Sequence, residues 1–178
     1  MSQLNQKLFE TIHNWSGISP SFDRIILFCA AHLWWVLIVA VVLFYALLKR
    51  SARGLAELSV ILFSGAASYV VAFIVKHIVA SPRPVEVIKD LPTLIQEAAG
   101  TAFPSGHTAL VFGLAIALLL YDRFLGIAAL VIAAVVGLSR VAAGVHWPID
   151  ILGGIVVGGI VALIIHAIAS LFLRSGEI

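Results

Sequence analysis

Between Ile25 and Leu48 the chain runs apolar, interrupted only by His32, and Lys49, Arg50 and Arg53 bring the run to a stop. A helix needs about 20 mainly apolar residues to cross the hydrocarbon core of a bilayer, and this run supplies them. Similar runs follow at Leu55–Val79, Ser105–Tyr121, Phe124–Val141 and Ile149–Leu173. In lipid each segment has to satisfy its own backbone groups, so each run reads as a helix. Only 11% of the 178 residues are charged. An ordinary soluble domain carries about 25%, so there is too little charge here to coat a water-facing surface. The same composition excludes disorder and collagen-like repeats, and a scattered formal charge of +2 gives nucleic acid no basic face. The single cysteine, Cys29, excludes an internal disulfide framework and a CxxC metal site.

The expected architecture is an all-α integral membrane protein: a transmembrane bundle over residues 25–173 behind an interfacial segment, 1–24, in one domain spanning 1–178. Leu4, Leu8, Phe9, Ile12 and Trp15 recur at helical spacing among polar residues, which predicts an amphipathic helix lying at the interface. No basic n-region and apolar h-region open the chain, so no cleavable signal peptide is expected. Tyr121–Arg123 reads as a tight turn, and Ser81–Phe103 as a polar, proline-bearing connection. Lys49–Arg53 is the densest basic cluster, which by the positive-inside rule belongs in the cytoplasm. Five spans then place the N-terminus, the 80–103 loop and the 141–148 connection outside, with Arg123 and Arg174 inside.

Charge is scarce in such a chain, so its placement is informative. Lys76 and Arg83 flank the end of the second span, Ser105 and His107 open the third, Arg140 closes the fourth, and His146 and Asp150 open the fifth. All of these fall at one membrane face, where four helices can present them to a common pocket. Three cations, two histidines, a hydroxyl and one carboxylate suit a phosphate ester. Arginine grips phosphoryl oxygens bidentately. Pro104-Ser105-Gly106-His107 reads as a helix start with Ser105 at the N-cap, its amides and dipole favouring an anion, and Gly106 allows close backbone approach. Asp150, four residues after His146, shares its face if that turn is helical. There it accepts the imidazole N–H and strengthens the other nitrogen as a nucleophile, leaving His107 to protonate the leaving oxygen.

Three segments resemble the signature of the PAP2 (type-2 phosphatidic acid phosphatase) superfamily. Lys76-HIVASP-Arg83-Pro84 matches its K-x6-RP motif, Pro104–His107 its PSGH motif, and Ser139-Arg140-VAAGV-His146-WPI-Asp150 its SR-x5-H-x3-D motif. The resemblance implies a metal-independent, cofactor-free membrane phosphatase with a phosphohistidine intermediate. His146 would be the nucleophile, Asp150 its activator and His107 the general acid, while Lys76, Arg83, Ser105, Gly106 and Arg140 hold the phosphate. Many members have six membrane helices, so the expected count is five to six.

Short length, the opening Leu4-Asn5-x-x-Leu8-Phe9-x-x-Ile12 and Gly144–Asp150 make the chain most similar to bacterial undecaprenyl-diphosphate phosphatases of the bacitracin-resistance type. Gly106 departs from the aspartate often found there. The implied substrate is undecaprenyl diphosphate, with phosphatidylglycerophosphate, phosphatidic acid and lipid A 1-phosphate as alternatives. The implied setting is the bacterial inner membrane with the site facing the periplasm, and no nucleic acid or obligate protein partner is expected. A non-catalytic transporter or lipid-binding protein is the competing class, since buried charge also marks permeation paths. His13, His32, His77 and His166 read as interfacial or packing residues, and Trp34, Trp35 and Trp147 as interface or packing aromatics. Gly154-x-x-x-Gly158 reads as a helix-packing motif. Glu86, Lys89, Asp90 and Glu97 read as solvated loop charge.

Overall fold

The computed structural model describes residues 2–95 and 100–175, the side chains of 173–175 excepted. Glu97 and the Arg174 side chain, both given places above, lie outside them. The described residues form helices and no strand: α1 (Gln3–His13), α2 (Pro20–Ala31), α3 (Leu33–Leu48), α4 (Ala52–Val79), α5 (Pro84–Val87), α6 (Gly106–Tyr121), α7 (Arg123–Ala142) and α8 (Pro148–Ser175). Ala52–Val87, Arg123–Ala142 and Pro148–Phe172 are each long and apolar enough to cross a membrane, and α2 with α3 supplies a fourth such length. Large side chains such as Phe63, Phe124 and Leu171 are exposed on the outer faces of the bundle. That arrangement suits a lipid solvent.

α6 is the axis of the bundle and packs against α4, α7 and α8. Its buried residues, from Thr108 through Leu118, occupy nearly every angle around the helix. Small residues let the neighbours approach. A methyl group on Gly113 would overlap Ser68 of α4, and one on Gly158 of α8 would come within 2.7 Å of the Ala109 carbonyl. Gly154, one turn before Gly158, faces Ser105 and Thr108 in the same way. Both glycines of the small-residue motif therefore serve the α6–α8 contact.

Helix length shapes the site. α6 has 16 residues, α4 and α8 have 28 each, so α6 is about 24 Å long and its neighbours about 42 Å. At one end α6 and α4 are level, because Lys49 reaches both Glu57 at 3.6 Å and Asp122 at 3.9 Å. The shortfall therefore appears at the other end. Gly106 lies beside the ring of Tyr69, ten residues before α4 finishes at Val79, a drop of about 15 Å. α4 stands as a wall above the start of α6.

The first span departs from the expected single helix. α2 and α3 are bent by 56° at His32, whose φ of −125° ends α2. The amides of Trp35 and Val36 turn back to the His32 carbonyl, and side chains take the carbonyls just before the break. Trp34 Nε1 donates to Ala31 O at 2.9 Å, and Arg140 Nη1 makes a longer contact of 3.4 Å to Ala30 O. With no proline or glycine at the bend, hydropathy registers one continuous run.

α1 adds tertiary contacts to the amphipathic pattern expected of it. It packs on α7 and α8 through Asn5, Phe9 and His13, which are buried, while Leu4 and Leu8 face outward.

Candidate active site

The site assembles at the recessed end. Tyr69, Phe73 and Lys76 lie on one face of α4, four and three residues apart. The chain then turns through Ser81, whose carbonyl accepts from the Ala102 amide and whose hydroxyl accepts from the Phe103 amide at 3.0 Å. Arg83 follows at the start of α5. Its amide donates to Glu86 Oε2 at 2.9 Å, and Gly100 N donates to Glu86 Oε1 at 3.0 Å. Glu86 is exposed, as a solvated loop charge would be, and it also holds the backbone that carries Arg83.

Gly106 and His107 begin α6. Ser105 occupies the N-cap position, but its hydroxyl accepts from Thr108 Oγ1 at 3.0 Å and makes no capping bond to an α6 amide. The serine is fully buried, and its amide donates to the Asp150 carbonyl at 3.0 Å. Arg140, also buried, sits in the last turn of α7. The connection to α8 turns at Gly144, whose φ of +81° and close neighbours Thr93 and His13 leave no room for a side chain.

That turn delivers His146. Its Nδ1 faces Asp150 Oδ2 at 3.3 Å, and the same oxygen accepts from Trp147 N at 2.8 Å. The His146 and Asp150 side chains are each 1% exposed. Pairing at Nδ1 leaves Nε2 for the cavity. Two tryptophans support the arrangement. Trp147 Nε1 donates to Pro82 O at 3.1 Å, tying the His146 turn to the segment bearing Arg83. The Trp34 ring meets His107 edge-on at 5.5 Å.

A cavity of about 190 Å³ results, lined by Tyr69, Phe73, Lys76, Arg83, Gly106, His107, Arg140 and His146. Six of the eight residues anticipated from sequence line it; Asp150 lies behind His146, and Ser105 is buried beneath the helix start. Tyr69 and Phe73 were missed, although counting back from Lys76 in helical steps reaches both. Burial first, then the positive charge of Arg140, Lys76 and Arg83, holds His146 well below the usual histidine titration range. At neutral pH the imidazole therefore keeps a lone pair on Nε2. A neutral, carboxylate-oriented imidazole facing three cations is equipped to attack a phosphoryl group whose charge those cations offset.

A membrane helix bundle with this recess has the make-up of a phosphate-ester hydrolase working at a bilayer. The family model of the PAP2 superfamily matches residues 57–173, and the chain belongs to that superfamily. It is similar to undecaprenyl-diphosphatase BcrC of Bacillus subtilis (strain 168), at 27% identity over 94% of this chain and 86% of that protein. It is also similar to the putative undecaprenyl-diphosphatase YbjG of Escherichia coli (strain K12), at 33% identity over 89% of this chain and 79% of that protein. The crystal structure of Aquifex aeolicus LpxE superposes with a TM-score of 0.77 at 25% identity, covering 93% of this chain and 96% of that one. The protein is a multi-pass membrane lipid phosphatase.

Proposed function

We propose that this phosphatase cleaves undecaprenyl diphosphate to undecaprenyl phosphate and inorganic phosphate through a phosphohistidine on His146. The observation that carries the reading is the His146–Asp150 contact of 3.3 Å behind a cavity faced by Lys76, Arg83, Arg140 and His107. The printed names of two curated relatives support the lipid. His146 Nε2 attacks the terminal phosphorus as the bond to the bridging oxygen breaks, and His107 gives that oxygen its proton. Water then attacks the phosphohistidine, His107 takes the water's proton, and the P–N bond breaks to restore His146. Lys76, Arg83 and Arg140, with Gly106 at the helix start, hold the phosphoryl oxygens; Ser105 supports them from beneath. Neither a metal nor a cofactor has a part in these steps. Residues 1–178 act as one domain in the bacterial inner membrane, the site facing the periplasm. The basic cluster Lys49–Arg53 at the opposite end of the bundle supports that sidedness.

Phosphate release by purified protein in chelator tests the reading, with undecaprenyl diphosphate, phosphatidylglycerophosphate, phosphatidic acid and lipid A 1-phosphate compared. The expected result is preference for the diphosphate, with His146→Ala folded and at least about 10⁴-fold slower. Preference for another lipid overturns the substrate and keeps the chemistry. Full turnover by His146→Ala overturns the nucleophile.

A further inference from the structure

The start of α8 lacks a conventional cap. Trp147, which precedes Pro148, has no side-chain acceptor for the first free amides of the helix. Half of the need is met from within: Asp150, at the third helical position, reaches back to the Trp147 amide at 2.8 Å, as the acidic member of a capping box does. The other half comes from the far end of the chain. Asn5 Oδ1 of α1 accepts from Ile149 N at 3.0 Å. Asn5 is 8% exposed and Ile149 is exposed, so the bond is partly buried.

α1 holds the same connection at two further points. The His13 Nδ1–H donates to Ala142 O at 2.9 Å, where α7 ends. The Phe9 ring lies 4.8 Å from the ring of Trp147. Arg140, His146 and Asp150 are thus carried on a segment gripped at both ends by one short helix.

We propose that α1 is a clamp that positions the nucleophile, with Asn5 as its key positioning residue: its side-chain oxygen completes the cap of α8 and so fixes Asp150 against His146. Asn5 touches no substrate and acts through the first turn of α8. The inference rests on His146 being the nucleophile. A displacement of about 1 Å at a reacting group is enough to cost about a hundredfold in rate.

The test is steady-state hydrolysis of undecaprenyl diphosphate by full-length Asn5→Ala and Asn5→Asp proteins, beside wild type and His146→Ala. Asn5→Ala should lose about ten- to hundredfold in kcat with KM within about threefold of wild type. Asn5→Asp keeps the accepting oxygen. It gives up no bond, because Asn5 Nδ2 has no partner among the described residues, and it should return kcat to within about threefold. Phe9→Leu, which loosens the Trp147 contact and leaves the cap in place, gives a second route if Asn5→Ala does not fold; a kcat loss of about three- to tenfold at unchanged KM is expected. Wild-type kcat in Asn5→Ala overturns the proposal. So does a change confined to KM, or a loss that Asn5→Asp does not repair. His146→Ala reports separately on the nucleophile, since its activity depends on the chemistry and not on the clamp.

Discussion

Two ends of the same bundle hold charge in opposite ways. At the Lys49 end the signs are matched: Lys49 lies 3.6 Å from Glu57 and 3.9 Å from Asp122, and Arg53 lies 3.3 Å from Glu57. At the recessed end, Lys76, Arg83 and Arg140 line a cavity whose described lining contains no carboxylate, and Asp150 stands behind His146. Interleaved charge ties helices together and attracts nothing further. Cations drawn around one opening make a site complementary to an anion. Charge count alone therefore does not locate a membrane active site; the arrangement of signs does.

The sharpest way to break this comparison is to change the shape of one cation without its charge. Arg140→Lys keeps a positive group but loses the planar guanidinium and its contact with Ala30 O. A fall of about 10²- to 10³-fold in kcat/KM is expected, read by phosphate release. If lysine served equally, the site would need only net charge. The matching change at the other end, Glu57→Gln, should act on stability alone. It takes one carboxylate from half-buried Lys49, which keeps Asp122, and from exposed Arg53, at a cost of about 1 kcal/mol in unfolding, with kcat/KM within about twofold. The smallest effect concerns the floor of the cavity. A methyl group at Gly106 would meet Tyr69 Cε2 at 3.0 Å, so Gly106→Ala should lower kcat/KM by about three- to fivefold by pushing the ring aside. Tyr69→Leu in the same protein should recover most of that loss. Failure to recover would show that Gly106 matters for backbone approach and not for room beside Tyr69.

What the sequence disclosed and what it withheld divide along physical lines. Most of the membrane runs were legible because apolar length is a local property, though α6 at 16 residues is shorter than a full span. The lining residues Lys76, Arg83, His107, Arg140 and His146 stood out as scarce charge at helix ends. The bend at His32 was hidden, since Ala31 and Leu33 on either side are as apolar as a straight span requires. Trp34 and Trp147 were legible as packing aromatics but not as supports of the site, because their partners His107 and Pro82 lie far along the chain. Asn5 was the least legible of all. A polar residue in an amphipathic helix ordinarily faces water, and its partner is 144 residues away.

That separation also sets the order in which the molecule can be put together. α1 is made before the other described helices, yet Ala142 and Ile149, the groups it grips, are made only after most of the membrane spans. Until then Asn5 and His13 lack these partners. Seating α1 is thus a closing step, which joins it to α7 and α8 once the rest of the bundle is in the membrane.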